Sequence, residues 1–218
     1  MTDDDLPRRV AAELCWDPQV DSTEIEIRAS GGMITLRGTV ASLWQKRAGG
    51  NAAARVRGVT RVANNLLVQI PDADRREDEE LRGDVLEALM LNISVPMSVD
   101  AQAQDGCVTL AGVAEWQYQR QAAEVRATNV PGVARIENTI ALTPTHDADE
   151  AHEDISRAFR RDALLEEGGL SVQMPVQGLV ILSGTVSCWA AHDHALAAAW
   201  SAPGVTQVDD RICVGGQP

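Results

Sequence analysis

The sequence predicts an α+β protein of three tandem domains, each with the order α-β-β-α-β, a three-stranded mixed sheet and two helices on one sheet face. Two repeated lines of sequence predict this. The line Gly-Met-Ile-Thr-Leu-Arg-Gly-Thr-Val at 32–40 returns at 106–114 and 178–186, and the line Arg-Gly-Val-Thr-Arg-Val-Ala-Asn at 57–64 returns at 131–138 and 203–210. Both lines recur at spacings of 74 and 72 residues. A shared period in two independent lines indicates three copies of one unit.

Acidic stretches mark the boundaries between the copies. Residues 72–76 and 145–150 are rich in charge and poor in large apolar side chains, which is typical of solvated linkers. The predicted domains are therefore 2–71, 77–144 and 151–216, separated by acidic linkers at 72–76 and 145–150.

Each copy begins with a predicted helix, because apolar residues recur there at a spacing of four. An acidic residue precedes each stripe and is expected to cap the helix: Asp5, Glu80 and Asp154. The stripes are Leu6, Val10 and Leu14 in the first copy, Leu81, Val85 and Leu89 in the second, and Ile155, Phe159 and Ala163 in the third.

A hairpin, a second helix and a closing strand follow in each copy. Apolar and polar residues alternate on either side of a glycine turn, which predicts two antiparallel strands. The second helix is expected at about 42–57, 115–130 and 187–202, and the closing strand at 66–70, 140–142 and 212–214. Turn glycines bound the second helix on both sides: Gly38, Gly58, Gly112, Gly132, Gly184 and Gly204. Gly49 and Gly50 inside the first of these helices indicate either low stability or unusually close packing on the sheet.

Alternation along the strands also predicts which sheet face is buried. In the first copy the core face is expected to hold Ile25, Ile27, Ile34, Leu36, Leu66 and Val68. The opposite face is most apolar in the third copy, where it offers Leu179, Ile181 and Cys213. We therefore expect another copy or a partner to pack on this face of domain 3.

Composition excludes several classes of function. The net charge is −13, so non-specific binding to nucleic acid is disfavoured. No run of 18 apolar residues is present, so no membrane span is expected. The first residues contain no apolar signal region or lipid-modified cysteine, which predicts a cytoplasmic chain as written, and a periplasmic one only if the native start lies upstream.

No residue pattern predicts catalysis, a metal or a cofactor. Cys15, Cys107, Cys188 and Cys213 have no metal-ligand spacing and are expected to be buried or half-buried thiols. His192 and His194 would point in different directions on a helix, so both are expected to be solvated. Nucleotide-binding glycine loops and nucleophile elbows are absent from the sequence. We therefore expect a protein that is not an enzyme.

Aromatic residues gather at the start of the second helices, at shifted rather than equivalent positions. Two interpretations are open: plugs between copies or at the sheet edge, or a recognition surface, since Trp and Tyr dominate contact sites. Basic residues on the same helices of the first two copies favour anionic lipid head groups as a target, whereas the third copy has almost none and favours a protein. The candidate interaction surface comprises Trp44, Lys46, Arg47, Arg55, Trp116, Tyr118, Arg120 and Trp189.

The repeated lines and the α-β-β-α-β order resemble the BON-domain family of osmotically inducible, OsmY-like and transport-associated bacterial proteins, in three tandem copies. The resemblance implies a non-catalytic binding or scaffold protein associated with stress or the envelope, acting through protein–protein contacts or self-association. It leaves two alternatives open: peripheral binding to anionic phospholipid through the second helices of domains 1 and 2, or a cytoplasmic sensor of potassium or another cation.

Overall fold

The computed structural model describes residues 5–143, 148–165 and 169–215. The expectations for the first four residues, the first half of the second linker (145–147), residues 166–168 and the last three residues lie outside this range. The described chain is α+β, with six helices and three mixed three-stranded sheets, as the repeats predict.

The first repeat shows the unit in its most regular form. Strand β2 lies in the centre of the sheet, antiparallel to β1 and parallel to β3. The parallel register pairs Met33 with Arg61 and Val40 with Val68. The elements are α1 (Leu6–Trp16), β1 (Ile25–Ser30), β2 (Met33–Val40), α2 (Leu43–Arg55) and β3 (Arg61–Val68).

The second repeat has the same order, but its two long strands are each interrupted once. β4, β5 and β7 form its three-stranded sheet, and β6 pairs with β8 beyond the interruptions. A short 3-10 turn at Asp72–Asp74 precedes this repeat. The elements are α3 (Asp78–Met90), β4 (Asp100–Gln104), β5 (Cys107–Ala111), β6 (Val113–Ala114), α4 (Gln117–Thr128), β7 (Arg135–Asn138) and β8 (Ala141–Leu142).

The third repeat returns to uninterrupted strands. β10 is central, antiparallel to β9 and parallel to β11. Its first helix begins at Ala148, inside the stretch 145–150 whose composition predicts a linker. Asp154 therefore lies within that helix and does not cap it. Glu80 likewise lies inside its helix, which begins at Asp78, and the side chain of Asp5 makes no capping hydrogen bond. The elements are α5 (Ala148–Arg161), β9 (Leu170–Val176), β10 (Leu179–Val186), α6 (Trp189–Trp200) and β11 (Gln207–Val214).

Both helices of the first repeat pack on one face of its sheet, as alternation along the strands predicts. Leu6, Val10 and Leu14 of α1 share a core with Ala48, Ala52 and Ala53 of α2 and with Ile34, Leu36 and Leu66 of the sheet. Ile25, Ile27 and Val68 pack against this core and are partly buried. Small side chains on α2 allow the helix to approach the sheet closely, so a core with few aromatic residues is well packed.

The closing strands begin earlier than the sequence predicts. The prediction placed the start of the first one at Leu66, whereas β3 begins at Arg61 and β11 at Gln207. The second half of the second repeated line, 61–64 in the first copy and 207–210 in the third, is therefore strand and not connection. The physical reason is the parallel pairing, which extends along the whole of β2 and of β10 and satisfies the backbone groups of this line.

One glycine in each repeat that is predicted to form a turn lies instead in the line of the central strand, where the close approach of two strands requires it. Gly38, Gly112 and Gly184 have φ values of +122°, +132° and +130°. A Cβ atom at any of them would overlap the backbone carbonyl oxygen of the strand entry opposite, at Glu24, Ser98 or Gly169. Only glycine permits both the backbone conformation and the approach, which explains why this residue recurs in all three copies.

Gly50 shows that the second helix of the first repeat packs unusually close to its sheet. A Cβ atom at Gly50 would lie 2.7 Å from Nδ2 of Asn64 on β3. At Gly49 the nearest atom would be Cδ1 of Leu66 at 3.5 Å, an ordinary contact. The close-packing interpretation of this glycine pair therefore holds at Gly50.

The chain divides into two compact units, and each is considered by itself below. The first contains the described residues up to Leu89 together with Ala101–Thr109 and Val125–Glu137. The second contains Met90–Asp100, Leu110–Glu124 and the described residues from Asn138 onward.

Candidate interaction surfaces

The start of α2 presents one aromatic and one basic side chain to solvent. Ser42 caps the helix, because its Oγ accepts a hydrogen bond from the backbone N–H of Gln45 at 3.2 Å. The cap places Trp44 in the first turn, where it is 38% exposed, and Arg47 one turn later is exposed as well. Lys46 between them is half-buried. Trp44 and Arg47 are three residues apart and so share one helix face.

Arg55, at the other end of α2, is engaged within its own repeat. Its Nη2 atom lies 2.9 Å from Oδ2 of Asp17 and 3.2 Å from Oε1 of Glu13. The hydrogen bond from Arg55 lowers the pKa of Asp17, and the two carboxylates raise the pKa of Arg55. The positive charge of Arg55 is therefore compensated locally, whereas Arg47 has no carboxylate partner among the described residues.

The start of α4 is organised around one glutamine. Oε1 of Gln119 accepts hydrogen bonds from the backbone N–H groups of Glu115 and Trp116, at 3.0 and 3.1 Å. Trp116 is half-buried and Tyr118 is 56% exposed. Their ring centroids are 6.4 Å apart with planes tilted by 35°. Arg120 is half-buried in the next turn.

Each unit contains a groove beside these aromatic residues. In the first unit, Trp44 and Ile70 face Thr128 and Val130 across a cavity of about 360 Å³. In the second unit, a cavity of about 720 Å³ has Trp116 and Tyr118 of α4 on one side and residues of α6, including Trp200, on the other. The two grooves occupy equivalent places, because Trp44 and Thr128 precede Tyr118 and Trp200 by the repeat spacings of 74 and 72. Aromatic residues therefore line the junctions between consecutive repeats.

In the third repeat, a hydrogen bond between a buried histidine and an aspartate replaces the hydrogen bond that an asparagine side chain donates to a backbone carbonyl in the other two repeats. In the first repeat, Asn64 Nδ2 donates to the carbonyl oxygen of Lys46 at 2.6 Å, and in the second, Asn138 Nδ2 donates to that of Arg120 at 3.1 Å. The third repeat has Asp210 at the asparagine position, and a carboxylate cannot donate. His192, at the position of Lys46 and Arg120, supplies the donor.

The histidine is only 8% exposed, so the expectation that it is solvated is wrong. His192 Nε2 lies 2.8 Å from Oδ2 of Asp210, and Nδ1 lies 3.3 Å from Oδ1 of Asp193. Trp189, which is 48% exposed, places its ring edge-on to the imidazole at 5.2 Å. Within the described ranges, no cluster of three or more His, Cys, Asp or Glu side chains is placed to hold a metal ion.

The outer sheet face of the third repeat is accessible to solvent. Leu179 and Ile181 are half-buried, and Cys213 is exposed. An ion pair of 2.6 Å joins Arg211 to Asp209, the residue paired with Ile181 on the neighbouring strand. An apolar strip flanked by one ion pair is compatible with a contact surface.

The cysteines differ from the expectation of buried or half-buried thiols. Cys15, Cys188 and Cys213 are exposed, and Cys107 alone of the four is half-buried. Cys15 and Cys188 lie at helix ends, where side chains reach solvent, and Cys213 lies on the outer sheet face. Sγ of Cys107 lies 3.3 Å from Nη2 of Arg135, and this contact is the main cause of the raised pKa of Arg135.

Comparison with known proteins matches the repeats to one family. The BON domain matches this chain three times, at residues 2–70, 77–144 and 147–216. The chain belongs to the BON-domain family. Osmotically-inducible protein Y of Escherichia coli (strain K12) is 30% identical over 147 residues, which are 64% of this chain and 72% of that protein. This membership and this likeness fit a non-catalytic, stress-associated protein.

Solved structures of a secretion-system protein align with nearly the whole chain but only loosely. The structural protein CdsD of the type III secretion system of Chlamydia trachomatis is 13% identical, with a TM-score of 0.28 over 98% of this chain and 93% of that one. A structure described as its C-terminal domain gives a TM-score of 0.27 over 100% of both chains, again at 13% identity. These scores carry no argument about this chain.

Sequence reasoning missed an apolar segment that is almost fully exposed. Residues 90–97, here called the apolar segment, connect α3 to β4 in the second BON domain. Met90 and Leu91 are 83% and 82% exposed, and Ile93 and Met97 are 103% and 101% exposed. The sequence carries one partial signal, because residues 88–99 contain no charged side chain. The repeat spacing also places Met90 at the position of Trp16, which is 84% exposed in the structure.

None of the helices in the described ranges has both the length and the apolar character needed to cross a membrane.

Proposed function

We propose that this BON-domain protein is a non-catalytic adaptor that acts through protein–protein contacts, and that the apolar segment is its principal contact. The observation that carries this proposal is the near-complete exposure of Met90, Leu91, Ile93 and Met97. Burial of each of these side chains by a partner stabilises the complex by roughly 1.5–3 kcal/mol before ordering costs. Two of the four are methionines, whose flexible thioethers adapt to the shape of a partner.

The charges around the apolar segment favour a protein partner over an anionic membrane. No Lys or Arg occurs from residue 83 to residue 119, whereas five acidic residues do: Asp84, Glu87, Asp100, Asp105 and Glu115. Anionic head groups would be repelled by these carboxylates, and the whole chain adds a net charge of −13. An apolar pocket with a basic rim on another protein complements such a segment.

Site-specific photo-crosslinking tests the proposal. We would replace Ile93 with a photo-reactive amino acid in the full chain, with exposed Asn65 of β3 as the control position. A small set of discrete protein adducts is expected from position 93, absent from position 65 and lost when Met90 and Met97 are changed to Ser. Adducts to lipid alone, or the same adducts from both positions, would exclude this role.

A second candidate function is binding to an anionic phospholipid surface through α2. It is favoured by Trp44 and Arg47, which are exposed on one helix face. Arg55 adds little to this face because Glu13 and Asp17 compensate its charge. Flotation with vesicles of phosphatidylcholine and phosphatidylglycerol should be salt-sensitive and should be lost in an Arg47→Gln, Trp44→Leu variant. Absence of flotation by the unmodified chain excludes this candidate.

The outer sheet face of the third domain is proposed to pack on a second copy of this chain. Leu179 and Ile181 would supply its apolar centre, and Cys213 lies exposed beside them. Light scattering should then show a concentration-dependent dimer that Ile181→Asp abolishes while Asn65→Asp, at an exposed position of the first domain, does not. A monomer at all concentrations would contradict this packing.

A further inference from the structure

The groove of the second unit concentrates aromatic residues. The chain contains five Trp, one Tyr and one Phe, and three of these rings line this single cavity of about 720 Å³: Trp116, Tyr118 and Trp200. A cavity of this size accommodates a side chain together with its flanking residues.

The rings of the groove remain available to a ligand. Trp116 and Tyr118 are tilted by 35° at 6.4 Å and are therefore not stacked face to face on one another. Tyr118 is 56% exposed, and Trp116 and Trp200 are both half-buried. Aromatic faces carry negative electrostatic potential, so accessible faces attract cations.

The polar atoms of the groove also favour a cation. Among the residues that line it, Asp193 is the charged one, and its side chain is 76% exposed. The amide oxygen of Gln117 is buried and has no hydrogen-bond partner among the described residues. The net charge of −13 adds long-range attraction for a cation.

We propose that this groove binds an arginine side chain presented by an extended segment of a partner protein. The planar guanidinium would lie against the aromatic rings and donate hydrogen bonds to the Asp193 carboxylate. Arginine suits the site better than lysine because it stacks on aromatic faces and is more weakly hydrated. This site is separate from the apolar segment, and the proposal does not depend on the function proposed for that segment.

The equivalent groove of the first unit supplies an internal control. It is lined by one aromatic residue, Trp44, and has Thr128 at the place of Trp200. With one ring instead of three, this groove should not hold a guanidinium with measurable affinity.

Titration of the full chain with two matched peptides tests the proposal. The first is the acetylated and amidated peptide Gly-Ser-Arg-Gly-Arg-Ser-Gly, and the second has citrulline, which is neutral and nearly isosteric, in place of both arginines. Binding is followed by the indole N–H signals of Trp116 and Trp200 in NMR spectra. The arginine peptide should bind about 10-fold or more tightly than the citrulline peptide.

Variants then assign the binding to the groove. Tyr118→Leu should weaken binding of the arginine peptide by about 3-fold to 5-fold, as expected for one cation–π contact. Tyr118→Phe keeps the ring face and should retain the affinity. Asp193→Asn should weaken binding and reduce its salt dependence, while Trp44→Leu should leave it unchanged.

Three outcomes would overturn the assignment: equal affinity for the two peptides, no effect of Tyr118→Leu, or binding of choline as tight as that of the arginine peptide. Ile93→Ser in the apolar segment should leave peptide affinity unchanged, so failure of this proposal is distinguishable from failure of the proposed function.

Discussion

Substitution of Gly38 by alanine should selectively destabilise the first BON domain. The glycine has a φ of +122°, which L-residues rarely adopt. An added Cβ would also lie against the carbonyl oxygen of Glu24. The two atoms would be about 1 Å closer than 3.0 Å, the distance below which Cβ contacts are essentially absent from proteins. That oxygen belongs to the backbone and cannot rotate away, so β1 and β2 must separate where Gly38 pairs with Ile25.

The expected cost follows from two contributions. A strained backbone conformation costs about 1–3 kcal/mol, and weakening one ladder hydrogen bond costs about 0.5–1.5 kcal/mol more. Together they give roughly 2–4 kcal/mol, a large part of the ~4–10 kcal/mol that stabilises a domain of about 70 residues. The melting transition of the first domain should fall by roughly 10–20 °C.

Hydrogen exchange measured by mass spectrometry on the full chain tests this reasoning, because it reports each domain separately. Amides of β1 and β2 should exchange about 30-fold to 1000-fold faster in Gly38→Ala, while those of β10 keep their rates. Gly83→Ala is the matched control. Gly83 is an exposed residue of α3 with nothing within 4 Å of an added Cβ, so the change should stabilise by up to about 1 kcal/mol. Unchanged protection of β1 in Gly38→Ala would refute the argument.

Three further substitutions test individual contacts. Gly50→Ala should lower the melting temperature in spite of alanine's higher helix propensity, because the new Cβ would lie 2.7 Å from Asn64 Nδ2; a rise would show that this amide moves freely. Asn138→Asp should destabilise the second domain by about 1–3 kcal/mol in denaturant titrations, since it removes the donor to the Arg120 carbonyl; an unchanged midpoint would contradict this role. Arg55→Gln should raise the pKa of Asp17 measured by NMR. The folded-state pKa of Asp17 lies below its usual value, so ionised Asp17 stabilises the unmodified chain above about pH 4. This stabilisation disappears as the pH falls through the lowered pKa, and Arg55→Gln lacks it. Equal acid stability of the two proteins would contradict this role of Arg55.

The fold could be predicted because each helix, strand and turn has a recognisable local sequence pattern, and this pattern recurs in all three copies. Strand alternation predicts the buried face of Ile34 and Leu36, and the glycine at 38, 112 and 184 marks the backbone approach required in every copy. The start of β3 could not be predicted from propensity. Arg61–Val68 contains two asparagines, which disfavour strands, and its extended form depends on pairing along the whole of β2.

The interaction surfaces were harder to predict because exposure is a tertiary property. An apolar run after a helix is expected to be buried, so the charge-free composition of residues 88–99 does not by itself reveal that Ile93 and Met97 are solvent-exposed. His192 is a different case, because its signal was present in the sequence. Alignment of the copies places Asp210 where the others have asparagine, and this change requires a new donor, which position 192 supplies.

Differences among the copies indicate where function resides. Positions that all three domains share, such as the strand-approach glycine at Gly38, are explained by backbone geometry alone. Positions that differ have no such explanation: the end of the first helix carries Trp16 in one copy and Met90 in another, and the start of the second helix carries Trp44, Tyr118 or Ala190. These variable positions are also the ones at which the large side chains reach solvent or line a groove. Since the scaffold does not require their identity, these are the positions at which the contacts proposed above differ from one copy to another.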